Sequence, residues 1–208
     1  MREAIVYPPH VGQDGILRGG RRPPAAAGSE FPASNLTFYM IYLILTTGFM
    51  PTLTLAVGGD HAGFPMKGPI IEFLRGLGHT VEDCGSYDPA PVDFPDVSKA
   101  VCDRVRSGRA ARGILVCGTG VGACIAANKV PGIRASVCHD VYSAHQCVEH
   151  DDVNVVAIGA QVIGQNAAQD CLRAFLAAEF STEEQFRVRV AKLGQLERLA
   201  AAELAPPR

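Results

Sequence analysis

From Thr52 onward, short apolar runs alternate with amphipathic stretches. Leu53, Leu55 and Val57 predict a strand that ends at Gly58-Gly59. Ile70, Phe73, Leu74 and Leu77 share one face of a helix over about 65–77, closed by Gly76 or Gly78. Residues 80–83 read as a short second strand, and 84–95, CGSYDPAPVDFP, as a loop rich in Pro, Gly and Asp. Asp96 is expected to cap a helix running to about Arg106. Ile114, Leu115 and Val116 form a buried third strand with Cys117 at its end, and 123–129 a helix. A fourth strand is expected over 133–137, a helix over 139–150, a fifth strand over 153–158 and a helix over 164–179. Thr182, with Glu183 and Glu184 in the first turn, opens a last helix to about Leu204.

Strands alternating with helices at this spacing predict an α/β fold, a parallel sheet covered on both faces. Ligands of such sheets bind outside the carboxyl ends of the strands. That rule gathers residues 58–63, 84–93, 117–122 and 138–140 at one edge. No internal repeat is present.

The first 50 residues do not share this pattern. Residues 1–35 are rich in Pro, Gly, Arg and Ala and read as disordered. Residues 36–50, LTFYMIYLILTTGFM, are strongly apolar but shorter than the roughly 20 residues a membrane helix needs. Basic residues precede them as in a signal sequence, yet no small-x-small cleavage site follows. The favoured reading makes 1–50 an extension outside the working domain, with translation starting at Met50. Residues 51–180 then form the α/β domain, and 181–208 a terminal helix and tail.

Composition narrows the partners. The net charge of −2 carries no basic stripe, so no nucleic-acid partner is expected, nor a membrane. Seven cysteines, without paired CxxC spacing, read as free thiols of a reducing, cytoplasmic setting and not as a disulfide framework or metal site.

The chemistry concentrates in GILVCGTGVGACIAANK, residues 113–129. A strand end, glycines at 118, 120 and 122 and a helix start make an anion-binding turn. Cys117 at its lip is expected to have a stabilised thiolate, against the ordinary reading of a strand cysteine as a small buried hydrophobe. Gly118-x-Gly120-x-x-Ala123, with Asp140 downstream, also matches a relaxed dinucleotide fingerprint, but it follows the third strand and not the first. Asp60-His61 end the first strand, as a helix-capping pair or as ligand contacts. His150 reads equally as a helix C-terminal histidine or as a site residue expected to converge on the edge that carries Cys117.

These residues in this order resemble the ribose-5-phosphate isomerase B family of sugar-phosphate aldose–ketose isomerases. The resemblance covers about residues 53–200 through GGDHAGFPMK at 58–67, VDFPD at 92–96, ILVCGTGVGACIAANKVPGIRA at 114–135 and YSAHQCVEHDDVNVVAIGAQVIG at 142–164. It implies a Rossmann-like three-layer α/β/α fold with a five-stranded parallel sheet, in a homodimer or dimer of dimers whose last helix packs on a partner subunit. It implies a reaction through an enediol(ate), with neither metal nor cofactor. Cys117 takes the role of the base. Family members with a glutamate base carry it where this chain has Ala123. Gly118, Gly120, Val121 and Gly122 would give backbone N–H groups to the enediolate oxygen, assisted by Thr119. His150 would open the sugar ring, Asp60 would bind ring hydroxyls, and His61 the phosphate, together with arginines of a partner.

The departures bear on substrate. Asp151 stands where the family usually has Asn, and Gln161 where the ribose enzymes have Arg. The usual Arg-His-x-x-Arg of the last helix is Gln185-Phe186-Arg187-Val188-Arg189, so only Arg189 matches directly and Arg187 stands in for the other arginine. Ribose 5-phosphate and ribulose 5-phosphate are the expected pair, with a tetrose or hexose phosphate as alternative. A non-catalytic sugar-phosphate-binding module and a nicotinamide-dependent dehydrogenase are the readings from other classes.

Overall fold

The computed structural model describes residues 52–204, so the expectations for residues 1–50 and for the end of the tail lie outside the described residues. The elements run β1 (Thr54–Gly59), α1 (Phe64–Gly76), β2 (Thr80–Asp83), α2 (Phe94–Arg106), β3 (Arg112–Cys117), α3 (Val121–Ala127), β4 (Ala135–Val137), α4 (Val141–Asp151), β5 (Val155–Gly159), α5 (Gln165–Ala177) and α6 (Glu184–Leu204). Every strand pairing is parallel, in the order β2-β1-β3-β5-β4.

The pleat sorts each strand's side chains onto two faces. Leu55, Val57, Ile114, Val116, Val156 and Ile158 point to one, against Ile70 and Leu74 of α1, Val148 of α4 and Leu172 and Phe175 of α5. Ala56, Leu115, Cys117, Val155 and Ala157 point to the other, against Val101 of α2 and Ala123 and Ala127 of α3. Burial on both faces explains why β1, β3 and β5 are apolar without alternation. This is the expected three-layer α/β/α arrangement.

Helix starts follow local chemistry. Asp93, not Asp96, precedes α2, because Pro95 takes a first-turn position where its missing N–H costs nothing. Asp96 lies inside that turn. Asp140 caps α4, its carboxylate accepting the Ser143 N–H at 2.7 Å.

Two features position the site. β2 and β3 flank β1, so the chain reverses direction across the sheet between β1 and β3 and opens a crevice at their carboxyl ends. Each crossover helix starts at that carboxyl edge and returns antiparallel to the strands, finishing at the amino edge. α6 also lies at the amino edge: the Ser181 N–H just before it donates to the Glu149 carbonyl at the end of α4, and Glu197 accepts the Gly132 N–H ahead of β4. Among the described residues no helix is long and apolar enough to cross a membrane.

Candidate active site

β1 delivers Asp60 to the crevice. Its side chain is buried, and Oδ1 accepts the Gly63 N–H at 2.8 Å. Gly63 is required where it stands: a Cβ there would lie 1.8 Å from the Val116 carbonyl oxygen. Glycine therefore lets the turn 60–63 rest directly on the end of β3. Asp60 is thereby brought beside Cys117, while His61 on the same turn is exposed.

Cys117 ends β3 and is buried. Gly120 adopts φ +81°, a left-handed turn that favours glycine, and swings the loop back so that the N–H groups of Gly118 and Gly120 approach the sulfur. The expected stabilised thiolate is not what the surroundings of Cys117 favour. Burial and the neighbouring Asp60 carboxylate push the Cys117 thiol above its ordinary value, and outweigh the two N–H groups that pull it down. α3 has only seven residues, so the loop amides contribute more here than a helix dipole.

Thr119 and Val121 are exposed at the crevice mouth, and the Thr119 hydroxyl accepts the Val121 N–H at 3.3 Å. Gln161 follows β5 against the same loop: its N–H donates to the Gly118 carbonyl at 2.9 Å, and a Cβ on Gly118 would lie 3.1 Å from its Oε1. Asp60, His61, Cys117, Thr119, Gly118 to Gly122 and Gln161 thus share the carboxyl edge.

His150 and Asp151 do not join them, which corrects the expected convergence. Both close α4, whose 11 residues carry the chain about 16 Å down to the amino edge. There the His150 ring stacks on Phe186 of α6, centroids 4.1 Å apart. The Arg189 guanidinium lies 5.5 Å from the Phe186 ring centre, and that of Arg187 lies 5.7 Å from the Phe180 ring centre. One chain therefore holds two half-clusters at opposite edges of its sheet.

Three supporting residues lie in segments the sequence brings to this edge or its motifs, but their contacts carry no signal there. Lys67 is buried, its ammonium held by both Asp83 oxygens at 2.7 and 2.8 Å and by the Ser86 carbonyl at 2.6 Å. It ties α1 to the loop after β2, which is paired to β1 through the Gly59 N–H on Gly85 and the Ser86 N–H on Gly59. His139 accepts the Gly159 N–H at 2.9 Å beneath the glycine loop. The Phe94 ring covers Gly122, where a Cβ would meet it at 3.1 Å. A lysine in an amphipathic helix reads as solvated, and only the loop's path makes Lys67 a core cation.

This geometry coincides with a known family. The model of the ribose/galactose isomerases matches residues 55–193, well over half of the chain. The chain belongs to that family. It is 45% identical over 131 residues to a D-erythrulose-4-phosphate isomerase of Pectobacterium atrosepticum, covering 62% of this chain and 85% of that one. It is 42% identical over 126 residues to ribose-5-phosphate isomerase B of Escherichia coli, covering 61% and 85%. Among solved structures, ribose-5-phosphate isomerase B of Clostridium thermocellum superposes with TM-score 0.69 at 42% identity, covering 71% of this chain and 99% of that one. The fold is thus that of the type B ribose-5-phosphate isomerases, and the chain is a sugar-phosphate isomerase of this family.

Proposed function

We propose that this isomerase interconverts ribose 5-phosphate and ribulose 5-phosphate through an enediolate, with Cys117 as the base. The observation that carries the reading is the juxtaposition of Cys117, the Gly118 and Gly120 amides and Asp60 at the β1–β3 crevice of a sugar-phosphate isomerase. The Cys117 thiolate takes the proton from C2 of the open-chain aldose. The C–H electron pair becomes the C1–C2 double bond, and negative charge moves onto the former aldehyde oxygen. Amides of the 118–122 loop, with Thr119, stabilise that charge. Return of the proton to C1, with transfer of the O2 proton to O1, yields the ketose.

The raised Cys117 thiol fits a base that rests protonated at neutral pH. Its proton has the Asp60 carboxylate as a nearby acceptor, and Asp60 also faces the sugar hydroxyls.

A ring-form substrate also needs ring opening, assigned to His150, which one chain holds at the wrong edge for its own Cys117. A homodimer that sets the amino edge of one copy against the carboxyl edge of the other completes the site. Leu193, Leu196 and Leu199 of α6 are exposed at helical spacing and suit burial against a second copy. In that arrangement His61 takes one side of the phosphate, and Arg187 and Arg189 of the other copy, with Asp151, take the opposite side. All seven cysteines are free thiols, which fits a cytoplasmic setting.

A second substrate reading is a tetrose 4-phosphate. It is favoured by the Pectobacterium relative; Gln161, a neutral group where the ribose enzymes are expected to carry Arg, weighs against ribose 5-phosphate without choosing between a tetrose and a hexose. Isomerisation assays of the full chain on ribose 5-phosphate, erythrose 4-phosphate and galactose 6-phosphate separate these. Highest kcat/KM on ribose 5-phosphate supports the leading assignment. Binding without turnover on all three overturns the enzymatic reading.

A further inference from the structure

Beside Cys117 lies a narrow cleft, lined among others by Asp60, Phe94, Val97, Ser98 and Ala123. It is too narrow to hold a water molecule. Ser98, on the face of α2 turned to the sheet, is 1% exposed, and its hydroxyl has no hydrogen-bond partner. A buried hydroxyl left unpaired is costly, and alanine would fill the same place on a helix without that cost. The neighbouring positions on this face are apolar: Val97, Val101 and Cys102. The unpaired hydroxyl is therefore the exception in an otherwise apolar layer.

Asp60 and Cys117 are the other polar side chains of that lining. One oxygen of Asp60 is already taken by the Gly63 N–H. The Cys117 sulfur is the group whose charge changes in the proposed reaction. We infer that Ser98 is a positioning residue, whose hydroxyl turns to donate a hydrogen bond to the Cys117 sulfur when that sulfur is a thiolate. The inference rests on the reading of Cys117 as the base for its effect on turnover, but the hydrogen bond itself does not.

The physical need is plain. A thiolate formed here stands next to the Asp60 carboxylate, the one titratable group facing it among the residues that line the cleft. α2 presents Phe94, Val97 and Ser98, and α3 presents Ala123, so neither brings a cation. The amides of Gly118 and Gly120 approach the sulfur from its own loop. A hydroxyl on the α2 side adds a third donor. A hydrogen bond to an ionised acceptor is stronger than one between neutral groups, and no water competes for it.

The test is the pH dependence of Cys117 alkylation by iodoacetamide in the full chain, followed on the Cys117 peptide by mass spectrometry, for wild type and Ser98→Ala. Loss of the donor should raise the midpoint by about one pH unit, slowing alkylation at neutral pH about tenfold. The acid limb of kcat for Ser98→Ala should move the same way. Its melting temperature should hold or rise, which sets the effect apart from a folding defect. A midpoint that is unchanged or lower overturns the inference. That failure is distinct from failure of the base assignment, which Cys117→Ala reports through turnover alone.

Discussion

The His150 imidazole lies flat on the Phe186 ring, centroids 4.1 Å apart and planes 16° from parallel. Phe186 is buried and holds the histidine by one face of its ring. The stack belongs to α4 and α6 of one chain, at the edge remote from that chain's own Cys117.

A tetrose 4-phosphate cannot close a five-membered ring, because its C4 oxygen carries the phosphate. Ring opening then becomes dispensable. His150→Ala should lower turnover of ribose 5-phosphate about 100-fold while leaving erythrose 4-phosphate within about threefold. Phe186→Ala, which frees the imidazole, should cost ribose 5-phosphate turnover about three- to tenfold. Equal losses on both sugars for His150→Ala would remove its ring-opening role.

If each site draws Cys117 from one copy and His150 from the other, two inactive variants should complement. Cys117→Ala and His150→Ala chains, unfolded together and refolded at equal amounts, should recover about one quarter of wild-type ribose 5-phosphate activity, since half the dimers are mixed and each mixed dimer has one intact site. No recovery in a preparation shown to contain mixed dimers would mean that the sites are not shared.

Alkaline pH should destabilise the fold. Burial is the largest cause raising the thiols of Cys84, Cys117 and Cys124, and it pushes Cys102 to about 12 and Cys171 to about 11. An unfolded thiol releases its proton near about 8.5. Above that pH the unfolded state binds fewer protons than the folded one, so stability is complete below it and is lost as pH climbs towards the folded values. The melting temperature should therefore fall steadily from about pH 8.5 to about pH 11. Replacing Cys102 by Ala should flatten part of that decline.

Lys67→Met keeps the length of the side chain but leaves the Ser86 carbonyl and the Asp83 carboxylate without their donor. Asp83 retains some access to water, so the expected loss is about 2 kcal/mol in chemical denaturation. Because Lys67 holds the loop over the crevice, KM for the sugar phosphate should also rise. A neutral result in both would show that the backbone pairing of Gly59 with Gly85 and Ser86 suffices.

The alternation of apolar strands with amphipathic helices made the architecture legible, because both faces of β1, β3 and β5 are covered. The end of β3 at Cys117 was legible too, since the apolar run Ile114 to Val116 gives way after Cys117 to glycines at 118, 120 and 122. The edge occupied by His150 followed from chain direction: a helix that leaves the carboxyl edge must end at the amino edge, so His150 could not meet Cys117 within one chain. The partners of Lys67, the Phe186–His150 stack and the unpaired Ser98 hydroxyl depend on side chains far apart in sequence, and no local pattern encodes them. The raised thiol of Cys117 was not legible, because its loop amides are visible in sequence whereas its burial and its contact with Asp60 are not.

In the proposed reaction the transfer of the proton between C2 and C1 rests on Cys117. It is tested most directly by following exchange of the C2 hydrogen of ribose 5-phosphate, and of erythrose 4-phosphate, with deuterated solvent during turnover by wild type and Cys117→Ala. The wild type should exchange and isomerise at least one of the two sugars. Cys117→Ala, with an unchanged circular dichroism spectrum, should do neither, with rates down at least about 1000-fold. Exchange and isomerisation by Cys117→Ala at near wild-type rates would contradict the account and move the base to another group in the crevice, with Asp60 the first candidate.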